Sequence, residues 1–247
     1  MSSTTRPQFR FFFAHNLKKY IDKQLYHLQD SERLFDILAS CGSGEVQHWE
    51  KLPIGYLNHK ESLCLALARA FNKSGSRIHH DDSFREILRL FEKYFEEESG
   101  EKREARSFAF LSLGVIFLER ALFESVERQR KFLRIAAHYL EEAEQAGGKV
   151  SDQSMKAKLL EVTYLYRTLV EVCLAELPNG IKYLSRAAKI SSNPEPLWKI
   201  LASIYHHLGM INVSQFYRQK ATGLSPKSDS QNQSPRRGQD DGSQMVA

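Results

Sequence analysis

Apolar residues recur along this chain at steps of three and four, the spacing that gathers side chains onto one face of a helix. Phe12, Phe13, Leu17, Tyr20, Ile21, Leu25 and Leu28 form the first such stripe, and Leu34, Phe35 and Leu38 continue it beyond Asp30-Ser31. Gly42, Gly44, Pro53 and Gly55 then interrupt the pattern, which predicts an irregular connection before a second helix from Lys60 to Asn72. Ser83 and Glu86 have the spacing of a capping box, so a third helix is expected over 83–98. Its buried face carries Phe84, Ile87, Leu88, Phe91, Tyr94 and Phe95. From about Arg106 to Gly223 helix, turn and helix alternate, with breaks at Gly147-Gly148, Pro178-Asn179-Gly180 and Asn193-Pro194. No segment alternates with period two for long enough to propose a sheet. After Pro226 the composition turns to Ser, Gln, Asp and Gly, which predicts a disordered tail.

Residues 195–227 carry a more particular pattern. Trp198, Leu201, Ala202 and Tyr205 occupy a first helix, Gly209 a turn, and Ser214 and Ala221 the small positions of a second helix closed by Pro226. Small residues let two antiparallel helices approach, and the large ones fill the gap beside them. This window resembles the tetratricopeptide repeat, a helix–turn–helix unit of roughly 34 residues. Phe110, Leu113, Gly114 and Phe117 repeat the first-helix spacing, and Ala136, Leu140 and Ala143 the second, with about ten extra residues between them that imply lengthened helices. Tyr166, Leu169, Val170 and Cys173 lead into Gly180, Leu184 and Ala187 across a shortened turn.

The expected fold is therefore all-α, with antiparallel helix pairs stacked as a right-handed solenoid of the tetratricopeptide kind. Residues 1–57 are an N-terminal helical segment and loop, and 58–105 a helical pair readable as a degenerate repeat. Residues 106–226 make about three repeats, and 227–247 the tail. In the last repeat Gln215, Arg218 and Thr222 share one stripe of the second helix. A polar outer stripe is what a terminal repeat needs, so the fold is expected to end near Leu224.

The resemblance implies a scaffold, co-chaperone or assembly factor, without catalysis of its own, that binds a partner peptide or helix on its concave side. If Trp198, Leu201 and Tyr205 face inward, then Lys199, Ser203, His206 and His207 lie on the opposite side of that helix. The equivalent stripe of the first unit is Phe108, Leu111, Val115 and Leu118, and the middle unit adds Arg167 and Glu171. A groove apolar at one end and basic at the other follows, unless the N-terminal helices cover the apolar end. An open groove would let Leu111→Asp or Val115→Asp abolish partner capture with helicity intact. Lys199 and Arg167 have no accompanying Asn, so the basic clamp of the chaperone-tail-binding members is not expected.

Composition narrows the alternatives. A hydrophobic fraction of 42% with 15 Phe and 10 Tyr excludes a wholly disordered polymer, and only 13 Gly and 7 Pro argue against collagen, turn-dense β-sandwiches and glycine-looped nucleotide enzymes. Thirty-five Lys and Arg against 30 Asp and Glu leave a net charge of +5, a mild bias concentrated at the start, where Arg6, Arg10, Lys18, Lys19 and Lys23 face only Asp22. With Phe11, Phe12 and Phe13 beside them, these residues support two other readings: a nucleic-acid (RNA)-binding helical repeat, or a membrane-peripheral adaptor. No run approaches the roughly 18 apolar residues of a membrane span. The start lacks a secretory signal's apolar core. The cytoplasm is the expected location, with nuclear or mitochondrial targeting as alternatives. Cys41, Cys64 and Cys173 are far apart and read as buried thiols in a reducing compartment. His79-His80-Asp81-Asp82 and His206-His207 place neighbours on divergent directions, a poor geometry for a metal. No phosphate loop, nucleophile elbow or zinc-spaced motif occurs, and no cofactor is implied.

Overall fold

A computed structural model of the 247-residue chain describes residues 77–96 and 103–223, together with helical residues 13–15, 17–21, 66, 67 and 70. A 3-10 turn, Arg77–His79, leads into α1, Asp81–Glu96. There follow α2, Arg103–Ala121; α3, Val126–Gly148; α4, Gln153–Cys173; α5, Leu177–Ile190; α6, Glu195–His207; and α7, Ile211–Ala221. Among the described residues there is no strand. The helices pack as consecutive pairs, α2 with α3, α4 with α5 and α6 with α7, and each pair also touches the next. Helix α2 also meets α4 directly, so the first helices of the first two pairs share a face.

The pairs close where side chains are small. A Cβ on Gly114 of α2 would lie 2.6 Å from Leu140 Cγ and 3.3 Å from the Ala136 carbonyl oxygen of α3. Gly180 of α5 approaches Val172 of α4 in the same way, with 3.1 Å between its would-be Cβ and Val172 Cγ2. In the last pair the buried Ser214 hydroxyl of α7 donates to the Ala202 carbonyl of α6 at 2.8 Å, which satisfies a polar group inside the contact. The first pair is long, 19 and 23 residues, as the spacing of its motifs predicts, and the last is short, 13 and 11.

Two boundaries differ from the sequence expectation. Helix α1 starts at Asp81, before Ser83, so Ser83 lies inside the helix and does not cap it. Asp81 and Asp82 fill the first turn, where the partial positive charge of free backbone N–H groups favours carboxylates. Pro178-Asn179-Gly180 is the opening of α5 and not a break, because a proline in the first turn gives up an N–H that has no helical acceptor there. The reversal itself lies at residues 174–176, with Ala175 at φ 73°. Helix α4, by contrast, starts where Asp152 accepts a hydrogen bond from the Met155 backbone N–H at 2.7 Å. The predicted helix over 60–72 lies largely outside the described residues, as do Pro226, Leu224 and the tail.

Helix α1 is fastened by one buried guanidinium. Arg120, near the end of α2, donates through Nε to Glu124 at 2.6 Å and through Nη1 to the Ile78 carbonyl at 2.9 Å. Its Nη2 reaches Asp81, and its plane lies over the Phe84 ring. Replacing it leaves Glu124, whose side chain is only 8% exposed, with only the looser Arg128 pair at 3.8 Å. Arg120→Met is expected to cost about 3 kcal/mol in denaturant unfolding, with part recovered by Arg120→Met/Glu124→Met, which removes the Glu124 charge as well. Equal stability of Arg120→Met and the parent chain would contradict this role.

Candidate functional site

The nine residues expected to line a groove fall into three different environments. Helix α2 is apolar on nearly every side, and its stripe is closed: Leu111 and Val115 are 6% exposed, Leu118 is 1% exposed, and Phe108 packs half-buried on the core. Residues from earlier in the chain, Ala66, Leu67 and Ala70 among them, are buried in the same continuous core. Phe13, Leu17 and Ile21, spaced by four, are all buried and belong to the same core as the α2 stripe. Lys18, between them, donates from Nζ to Glu119 Oε1 of α2 at 2.5 Å. The N-terminal helical residues also lie near α4. The Tyr20 hydroxyl is pushed up to about 12, first by desolvation and then by the charge of Glu161. Of the two alternatives, an open or a covered apolar end, the burial of Leu111, Val115 and Leu118 fits the covered one.

The middle of the expected groove is structural. Arg167 Nε donates to Glu171 Oε1 at 2.9 Å, Glu171 is buried, and Arg167 Nη1 bonds the Ala137 carbonyl of α3. Its guanidinium lies 5.2 Å from the Tyr183 ring of α5. Beside it Arg186 reaches Glu144 Oε1 at 3.0 Å, and Tyr164 donates to the same oxygen at 3.2 Å. Arg167 and Glu171 thus tie α3, α4 and α5 together and do not face an incoming ligand. Only the α6 end is open: Lys199, Ser203 and His206 are exposed. Lys199 pairs with Glu195 at 2.6 Å, and His207 Nδ1 donates to the Ser203 carbonyl at 2.8 Å.

The repeat positions behind this face sit where close packing requires them. Leu113, Phe117, Leu201 and Ala202 are buried, as are Trp198 and Ala221. Phe110 stacks on Phe95, with ring centroids 4.7 Å apart, and Tyr205 stacks on Tyr217 at 5.4 Å. Gly209 has φ +76° in the α6–α7 turn, a conformation that a side chain would strain. Gln215 and Arg218 are exposed on α7, as is Thr222 at its C-cap.

Other sequence candidates find different partners. Phe13 is buried and Lys18 is ion-paired, which takes both out of the basic aromatic surface expected at the N-terminus. Arg6, Arg10, Phe11, Phe12 and Lys23 lie outside the described residues, as do Cys41 and Cys64. Asp81 is engaged by Arg120, and the His79 ring packs against Phe123 with centroids 3.5 Å apart. Cys173 is exposed at the end of α4 and not buried. The surrounding protein nevertheless desolvates its thiol and pushes it up to about 11, against the pull of the Lys18 charge.

A cluster that the sequence reading passed over lies on α3. Arg130, Lys131, Arg134 and His138 are exposed along one side of the helix. With Glu127, Ile135 and Tyr139 they line an open groove of about 470 Å³. The signal was present as Arg128-Gln129-Arg130-Lys131 followed by Arg134, a denser run of cations than the N-terminal one.

Alkaline pH is expected to weaken this packing. Desolvation raises Tyr139, Tyr164, Tyr183 and Tyr205 above 10.0, as it raises Tyr20, and Cys173 stands above its ordinary 9.0. The folded state holds these protons more tightly than the unfolded chain. Their contribution is fully present below the unfolded values and is lost as pH rises through roughly 9 to 12. The melting temperature should be level near neutrality and decline above about pH 9; a constant value to about pH 11 would contradict the assignment.

Among the described residues no helix is long and apolar enough to cross a membrane. No family model, no curated protein and no solved structure matches the chain.

Proposed function

We propose that this chain is a non-catalytic protein-interaction module of the tetratricopeptide kind. Its stacked helix pairs hold a helix or peptide of a partner protein on the side formed by α2, α4 and α6. The observation that carries the reading is that this side already holds an amphipathic helix. Phe13, Leu17 and Ile21 of the chain's own N-terminal segment are buried at the α2 end, with Lys18 fixed to Glu119. A side that already holds one helix of this chain offers, farther along, a place for a second helix or peptide. The remaining free stretch is the exposed Lys199, Ser203 and His206 stripe, and an assembly factor or adaptor would present its partner there. The direct contact of α2 with α4 supports the stacked arrangement. Nucleic-acid and membrane readings lose support, because Phe13 is buried and Lys18 is paired with Glu119.

The test is site-directed photocrosslinking in the full-length protein, with a photoreactive residue at Ser203 or, on the far side of the terminal pair, at Gln215. A partner protein should be captured from Ser203 and not from Gln215. Capture should survive nuclease and be lost in Lys199→Glu/His206→Glu. Equal capture from both positions, or loss on nuclease treatment, would overturn the reading.

A further inference from the structure

The basic groove on α3 is a second surface, separate from the one just assigned. Arg120, Arg167, Arg186, Lys18 and Lys199 each meet a carboxylate within 3.0 Å. By contrast, no carboxylate among the described residues forms an ion pair with Arg130, Lys131 or Arg134. Three exposed cations within five positions, with Glu127 as the one carboxylate lining the groove, leave an excess of positive charge that an anionic partner would relieve.

Arg130, Arg134 and His138 recur every fourth residue, so they are about 6 Å apart along the helix axis. Ile135 and Tyr139, one step round, give the groove an apolar edge, and Glu127 stands at its N-terminal end. The whole stripe spans about 18 Å, three helical turns.

Nucleic acid fits this surface poorly. Base recognition by single-strand binders uses open aromatic faces. The Tyr139 ring is already stacked on Phe117, with centroids 5.5 Å apart, and on Phe110 at 6.4 Å. Glu127 would face phosphates with a like charge. An acidic amphipathic helix fits better. Carboxylates at i, i+4 and i+8 repeat with the same rise as Arg130, Arg134 and His138, apolar side chains between them meet Ile135 and Tyr139, and a basic residue beyond them meets Glu127.

We infer that the α3 groove binds an acidic amphipathic helix of a partner protein, with its carboxylates on Arg130, Arg134 and His138. The complex is steered by charge and held by the apolar edge, so it forms fast and weakens with salt.

Fluorescence anisotropy with the full-length protein at about 150 mM salt tests this. The probe is a labelled synthetic helix of about 18 residues carrying Glu at i, i+4 and i+8 flanked by Leu. Its Gln counterpart and an oligouridine serve as comparisons. The Glu helix should bind at least about tenfold more tightly than either. Arg130→Glu/Arg134→Glu should reduce that affinity at least about tenfold. The milder Arg130→Gln/Arg134→Gln should reduce it in the same direction, both with unchanged circular dichroism, while Lys199→Glu/His206→Glu leaves it unaltered. Equal binding of the Glu and Gln helices, parent-like affinity in both double variants, or tighter binding of oligouridine would overturn the assignment. None of these outcomes bears on capture at Ser203, so the two readings fail separately.

Discussion

Leu111→Asp is expected to unfold the protein. Leu111 lies on the side of α2 that shares a core with Phe13, Leu17 and Ile21, and it is only 6% exposed. No cation among the described residues is fixed beside it: Lys18 is committed to Glu119, and Arg120 to Glu124, Asp81 and the Ile78 carbonyl. A carboxylate placed there gives up hydration without a partner and takes a methyl-rich side chain out of the core. Either effect alone is worth a few kcal/mol, and together they should exceed about 4 kcal/mol, a large share of a domain's stability. Helical circular dichroism should be strongly reduced at temperatures where the parent chain is folded. A variant that keeps its helicity and loses only partner capture would restore the open groove and remove the N-terminal cover.

Trp198→Ala should be the next most damaging change. The ring is 9% exposed, stacks on Tyr217 with centroids 5.6 Å apart, and receives the Lys220 ammonium 4.9 Å from its centroid. Truncation leaves a cavity between α6 and α7 and should cost about 3–5 kcal/mol. One residue away, Lys199 makes an i,i+4 pair with Glu195 at 2.6 Å, its side chain 62% exposed. Lys199→Ala should change stability by less than about 0.5 kcal/mol. Comparable shifts of denaturant midpoint for the two variants would mean that the faces of α6 are assigned wrongly.

What could be read along the chain was what depends on local spacing. The 3.6-residue rhythm placed α2 to α7, and the small residues Gly114, Gly180, Ala202 and Ser214 marked the helix contacts, because close approach leaves room for nothing larger. Starts were harder. Ser83 had the right spacing for a cap, but the acidic pair before it begins the helix, and Pro178 reads as a breaker although a first turn tolerates it.

The surroundings of the expected groove residues were illegible for a different reason. A stripe of Leu and Val looks the same whether it awaits a partner or already has one. Helix α2 gave a warning, since Leu113, Ile116 and Phe117 are buried as well as Leu111, Val115 and Leu118; a helix apolar all round belongs to an interior. What covers it is a contact across 101 positions, which no periodicity encodes. Arg167 and Glu171 misled similarly: charged residues at i,i+4 resemble a solvent-facing pair until three helices converge on them.

The account turns on the N-terminal helix lying against α2, and a zero-length carbodiimide crosslink tests that contact. The reagent joins an amine to a carboxylate only when they touch. Lys18 Nζ and Glu119 Oε1 are 2.5 Å apart, and Lys199 with Glu195, at 2.6 Å, provides an internal control. Peptide mass spectrometry of the monomeric, full-length protein should find an amide bond between Lys18 and Glu119, and it should vanish in Glu119→Gln. Recovery of the Lys199–Glu195 bond without the Lys18–Glu119 bond would contradict the closed face.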